Sequence, residues 1–313
     1  MKRYPYLVLA LLLFAITAWA AEDEPPDNRH GIMVRVAQIY VEPSTTAAKL
    51  GEVTRGREVV VLDQSRQWVK VLASVTAEKD ITGWILDKGI IHPNTPDGDK
   101  VLFGEAASSE LIASQRGGRR GAADDARRMY YRVFEYFPKS PLAGEGLYRA
   151  ADIMWQIDMS DVHTRPSAKQ RDPNLHGEVD DQYMKMVIKK FPGTKWADQA
   201  AFHLLEPKLC GDWEGESKCP EKEADMYEKY AAERPNSPSA PEALYDAAWR
   251  RAALIEIYKN ENKAKQVEES KNRVKSITQL AISKYPDSDW SKRAQALQYM
   301  VEQAIPTWGN VAE

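Results

Sequence analysis

Acid and imidazole side chains crowd one stretch of this chain. Asp158, Asp161, His163, His176, Glu178, Asp180 and Asp181 are the donor types that zinc or calcium would take. A metal site needs such donors at fixed intervals on a helix or strand, and these follow no such interval. The stretch reads as a polar insertion, and no metal site is predicted. The only two cysteines, Cys210 and Cys219, enclose a segment without histidine, which is poor for zinc and lacks the Cys-x-x-Cys spacing of a thiol redox site. In an oxidising compartment they predict a disulfide closing a short loop. His203 falls on a predicted helix and reads as a packed or rim residue. The sequence holds no Gly-rich phosphate loop, nucleophile elbow or paired metal-ligand helix. The expectation is therefore no catalytic residue, no metal and no cofactor.

The elements point instead to binding. One phrase recurs four times: Phe137-Pro138 with Ser140, Phe191-Pro192 with Thr194, Arg234-Pro235 with Ser237, and Tyr285-Pro286 with Ser288. Proline ends the incoming helix, and the hydroxyl residue two positions on caps the next one. Pro141 and Pro238 then fall at the first helical position, where proline is tolerated. Eight residues after each proline stands a tiny residue, Gly146, Ala200, Ala243 or Ala294, which lets a neighbouring helix approach closely. Larger apolar residues precede each proline: Tyr130, Val133 and Phe134, then Met184, Val187 and Ile188, then Tyr227, Tyr230 and Ala231. The fourth copy has Thr278 in that set and carries Gln295 and Gln298, as suits a water-facing end unit. Repeated helix pairs predict a stacked solenoid. Insertions at about 158–180, 206–222 and 258–270 stretch the repeat.

Residues 31–92 have a different period. Val34–Val41, Glu58–Leu62, Trp68–Ala73 and Gly83–Leu86 read as strands, punctuated by Gly51 and Gly56. Tyr40-Val41-Glu42-Pro43-Ser44, Leu50-Gly51-Glu52-Val53, Gly56-Arg57-Glu58-Val59-Val60-Val61-Leu62, Trp68-Val69-Lys70-Val71 and Gly83-Trp84-Ile85 resemble a bacterial SH3-like domain. The resemblance implies a small, partly open barrel that binds cell-wall peptides or partner proteins without catalysis. Tyr40, Trp68 and Trp84 are then candidates for a shallow ligand face, with Trp68 and Trp84 as core fillers the competing reading. Over residues 120–305 the helical phrases resemble tetratricopeptide-like envelope proteins, of the outer-membrane assembly lipoprotein and Tol–Pal coordinator types.

The predicted order is a signal peptide over 1–20, a flexible leader over 21–30, the SH3-like β-barrel over 31–97 and the tetratricopeptide-like solenoid over 98–313. Lys2 and Arg3 precede an apolar run from Leu7 to Ile16, and Ala18-Trp19-Ala20 offers a cleavage site after Ala20. The predicted location is periplasmic or secreted, with a membrane contact only through an uncleaved signal segment. The two prolines between His92 and Gly98 predict a flexible joint between separable domains. With 43 basic and 46 acidic residues the net charge is −3, so no global field favours nucleic acid. The cluster Arg116, Arg119, Arg120, Arg127 and Arg128 reads as a solvated helix start. The function expected is a non-enzymatic adaptor for protein or peptide partners and for peptidoglycan. The alternatives are a cell-wall enzyme or its targeting subunit, and an outer-membrane assembly accessory factor.

Overall fold

The computed structural model describes residues 26–164, 180–210 and 213–308. The signal segment and most of the acid-rich insertion lie outside the described residues. Seven strands come first: β1 (His30–Met33), β2 (Ala37–Tyr40), β3 (Lys49–Val53), β4 (Glu58–Ser65), β5 (Trp68–Ser74), β6 (Asp80–Leu86) and β7 (Ile90–Ile91). They form one antiparallel sheet in the order β3-β2-β6-β5-β4-β1-β7, curled as a half-barrel. Alternate residues make its core, with Val69, Val71 and Ala73 of β5 facing Ile39, Val59 and Ile85. The predicted strand Val34–Val41 is interrupted at 34–36, and β1 begins inside the expected leader. The β-branched signal carried through a bend there, because Val34 turns from the sheet towards the helices.

Nine α-helices follow among the described residues: α1 (Gly98–Ser114), α2 (Ala122–Tyr136), α3 (Ala143–Thr164), α4 (Gln182–Lys190), α5 (Lys195–His203), α6 (Lys218–Glu233), α7 (Ala240–Asn260), α8 (Ala264–Lys284) and α9 (Asp289–Glu302). The four proline phrases are the turns within the pairs α2/α3, α4/α5, α6/α7 and α8/α9. Phe137, Phe191, Arg234 and Tyr285 close the first helices at φ −131°, −127°, −128° and −130°. In each, the N–H of the hydroxyl residue donates to the carbonyl of the residue before proline, at 2.9, 3.4, 3.0 and 3.1 Å. Four sequences thus build one β-turn with proline at its second position.

Capping divides the copies. Thr194 and Ser288 cap α5 and α9 as expected, their hydroxyls accepting from Ala197 and Trp290 N–H. Ser140 and Ser237 instead accept from Leu142 and Ser239 N–H, and α3 and α7 begin later, at Ala143 and Ala240. Pro141 and Pro238 therefore occupy a tight turn before the helix rather than its first position. Their rings fix φ equally well there. The length assigned to an insertion at 258–270 is largely helix: α7 and α8 each run 21 residues, joined by a turn at Asn262.

The tiny residues sit where chains meet. A Cβ on Gly146 would fall 2.8 Å from the Tyr130 carbonyl oxygen of α2. Ala200, Ala243 and Ala294 are each 0% exposed, so these positions set how closely the helices of a pair approach.

The joint between the parts is not a flexible linker. Ile32, Val34 and Ile91 share one buried cluster with Leu102, Met129 and Tyr130, so strands and helices have a common core. Gly56 (φ +71°) passes so close to α2 that its Cβ would lie 2.6 Å from that of Arg128. Nor is the arginine cluster only a solvated helix start. Arg119 and Arg128 pair with the buried Asp125 at 2.6 and 2.5 Å, and Arg128 Nε donates to the Arg55 carbonyl. Solvated arginines and joint-building arginines look alike in sequence, because what separates them is a distant carbonyl.

Candidate functional site

Two surfaces collect the residues that could bind. On the sheet, Trp68, Lys70 and Leu72 alternate with the core residues of β5 and so take the outer face. Trp84 of β6 stands opposite Tyr40 on one side and Lys70 on the other. The Tyr40 and Trp68 rings meet edge to face at 5.6 Å. The structure therefore brings the three predicted aromatics together on one outer face, none of them in the buried core cluster. Tyr40 and Trp84 are half-buried, while Trp68 is only 6% exposed and supports the other two. Lys70 belongs to the same face. It was legible in the alternation Trp68-Val69-Lys70, where aromatic and cation fall on one side of a strand. Together they offer ring faces and one ammonium, a chemistry suited to stacking and to carboxylate or amide contact.

Sheet order keeps this face accessible. The helices dock against β1, β7 and the loop at Arg55–Gly56, whereas Tyr40 and Trp84 lie on β2 and β6 towards the other edge. Glu58 of β4 is the polar centre of the docked side. It accepts from Tyr136 Oη at 2.7 Å, contacts His30 Nδ1 at 2.8 Å and lies 3.6 Å from Arg132. Burial pushes the Glu58 carboxyl up, but Tyr136, His30 and Arg132 outweigh it and hold it below the usual glutamate value.

The second surface follows the second helices. Tyr148 of α3 stacks on Trp196 of α5 at 5.4 Å, and Tyr245 of α7 meets Trp290 of α9 at 5.3 Å. Each pair joins the position ten residues after one proline to the position four residues after the next. His203 lies beside the first pair, 3.3 Å from Tyr148 Oη and 3.4 Å from Asp152, with the Trp155 ring at 5.6 Å. Burial raises the Asp152 carboxyl, against the opposing effects of His203 and of the Gln156 hydrogen bond. Burial likewise lifts Asp246 of α7 to about 6, Arg250 opposing and Glu223 adding. His203 and Asp152 thus bridge neighbouring helix pairs, whereas Asp246, Arg250 and Glu223 lie within the pair α6/α7.

Behind this surface the predicted disulfide Cys210–Cys219 is formed, with Cα atoms 6.1 Å apart. The buried Glu223 holds its loop, accepting from Cys210 N–H, Trp213 Nε1 and Arg250 Nε at 2.8, 3.2 and 2.7 Å. Of the acid-rich insertion, Asp158 accepts from Asp180 N–H at 3.1 Å and Asp181 pairs with Lys185 at 2.6 Å. The side chains of Asp161, His163, His176 and Glu178 lie outside the described residues. Among the described residues no group of three or more His, Cys, Asp or Glu side chains is placed to hold a metal ion. No helix among them is long and apolar enough to cross a membrane.

Comparison with known proteins divides along the same line. No curated protein matches the chain. Among solved structures it is similar to one titled "DHF79 filament", with 16% identity over 65% of this chain and 100% of that one. The TM-score is 0.23, a likeness that carries no argument. The sheet is matched directly: residues 35–90 fit the family described as Bacterial SH3 domain.

Proposed function

We propose that the protein is an exported, non-enzymatic adaptor of the cell envelope. Its SH3 module would contact peptidoglycan or a protein, and its stacked helix pairs would hold a second protein or peptide. The observation that carries this reading is the way the module is docked. One side of the half-barrel is buried in the helices, while the aromatic face of Tyr40, Trp84 and Lys70 remains open on the other. Domains of this family suggest a cell-wall or protein-binding role, and the Cys210–Cys219 disulfide supports an oxidising compartment. Tetratricopeptide-like binding of extended partners is proposed on the four equivalent turns and the stacked pairs they build.

The test is sedimentation of the full chain with purified peptidoglycan, alongside crosslinking to envelope proteins. Tyr40→Ala with Trp84→Ala is expected to abolish one of the two interactions while the helical content stays that of the parent. Turnover of a wall fragment by the purified protein would overturn the assignment in favour of a wall enzyme. Retention of both interactions by the double variant would remove the aromatic face from it.

A further inference from the structure

We infer that the helical array takes an acidic segment bearing apolar side chains, seated in two equivalent grooves between its first helices. The inference rests on the binding reading above and names the chemistry of the partner. One groove, of about 330 Å³, lies between α4/α5 and α6. The other, of about 310 Å³, lies one pair further on, between α6/α7 and α8.

Their walls come from the same places in the repeated phrase. Positions nine, six, two and one before the proline supply Met226, Lys229, Glu233 and Arg234 to the first groove. They supply Ile277, Leu280, Lys284 and Tyr285 to the second. The preceding pair gives the floor, at four before and nine after its own proline: Ile188 and Ala201, then Ala231 and Leu244. Two grooves so matched are a property of the repeat, and they suit an occupant that presents an apolar side chain to each.

The grooves open because one side chain shrinks. Four residues before its proline the first pair carries Phe134, whose ring meets Phe191 at 5.9 Å and fills the space between α2 and α4. Ile188 and Ala231 stand at that place in the next two pairs. Leu280, on the wall of the second groove, is left 48% exposed.

Charge selects the occupant. Five cations, among them Lys208, Lys229 and Lys284, line the two grooves against two carboxylates, Glu228 and Glu233. Arg273 pairs with Glu228, and Arg234 with Asp198 and Glu233, so Lys208 and Lys284 carry the excess positive charge on a chain whose net charge is −3. Carboxylates on the rim with aliphatic groups in the floor complement such a surface, whereas a basic segment meets like charge.

The experiment uses the full chain and three fluorescent synthetic peptides with leucine at every fourth position. The remaining positions are mainly Glu, mainly Lys or mainly Ser, and binding is read by anisotropy. The Glu peptide is expected to bind at least about tenfold more tightly than the Lys peptide, with an affinity that falls as salt rises. Leu280→Ser with Lys284→Glu changes exposed groups and is expected to weaken the Glu peptide about tenfold at an unchanged melting temperature. Ala231→Phe, which rebuilds the plug of the first pair, is expected to weaken the Glu peptide as well, with its folding checked by helical circular dichroism. Failure of the Glu peptide to bind, equal binding of Glu and Lys peptides, or an unchanged affinity in the Leu280/Lys284 variant would each overturn the inference. Envelope capture that survives in that variant would discard the grooves and leave the adaptor reading standing.

Discussion

The two ends of the helical array solve the same problem in opposite ways. Each terminal helix pair has a face with no further pair to cover it. At the near end, helix α1 and the half-barrel together supply the cover: Leu102 and Ala106 of α1, with Ile32, Val34 and Ile91, continue the helical core, and Glu58 ties β4 to Tyr136, His30 and Arg132. At the far end the chain changes its composition instead. Gln295 is exposed, and Thr278 occupies the place held by Tyr130, Met184 and Tyr227 in the other pairs. The comparison teaches that the SH3 module has a structural part, whatever it binds. Damage at the near end should therefore spread, and damage at the far end should stay small.

The largest effect is expected at Gly56. A valine there must adopt a left-handed backbone and force its Cβ within 2.6 Å of the Arg128 Cβ. Strain and overpacking together cost about 3–5 kcal/mol. Protection of the β5 amides from hydrogen exchange and the helical circular dichroism of Gly56→Val are expected to be lost together, at a lower temperature than in the parent. A helical transition that keeps the parent midpoint would show that the parts are separable, as the prolines between His92 and Gly98 suggest.

That suggestion shows what the sequence can and cannot carry. The proline phrases were legible because turn chemistry is local: proline, a hydroxyl and a tiny residue act within a dozen positions. So were the alternating strands that gather Tyr40, Trp68 and Trp84 on one face. The joint was not, because a buried cluster joining residue 32 to residue 129 has no period, and arginines that cap a distant carbonyl resemble solvated ones. Helix α1 was missed for a related reason, since it precedes the first proline phrase and carries no copy of the motif. The grooves are legible only once the repeats are aligned, when the shrinkage from Phe134 to Ile188 to Ala231 comes into view.

The next comparison is between middle and end. Ala243 and Ala294 occupy the same place and are each 0% exposed, but α7 is packed by helices on both sides while α9 is terminal. Ala243→Leu is expected to cost about 1–3 kcal/mol in thermal unfolding. Ala294→Leu should cost less than half as much, because α9 can move outwards. Equal costs would mean that the last pair is held as tightly as the interior ones.

Smaller effects of opposite sign separate the joint from the interior by pH. Burial raises Asp246 from 3.8 to about 6, so its contribution to stability is fully present below about pH 4 and is lost as pH rises through 6. Asp246→Asn should therefore gain stability over the parent as pH goes from 4 to 7, by about 1–2 kcal/mol after allowing for partial exposure. Glu58 is held below its ordinary 4.5, so its contribution is present above that value and is lost as pH falls. Glu58→Gln should cost more at pH 7 than at pH 4. Melting curves at the two pH values check both, and slopes of the same sign would contradict the assigned environments.

The smallest effect is expected at Thr278, and it tests how the far end is finished. Its side chain is 0% exposed, yet its hydroxyl lies 2.9 Å from the Val274 carbonyl and 2.9 Å from Gln298 Oε1. A buried hydroxyl without partners would cost about 1–3 kcal/mol, so these contacts are what makes threonine tolerable in an apolar place. Thr278→Val keeps the shape and removes the donor. The Val274 carbonyl stays within its helix ladder, and Gln298, on the outer helix, can turn to water. Removing a hydroxyl with its partners left satisfied is close to neutral, and the change in unfolding free energy should stay within about 0.5 kcal/mol. A loss above about 1.5 kcal/mol would mean that the Thr278–Gln298 bond fastens α9 to α8, and that polar contacts at this end do what the apolar joint does at the other.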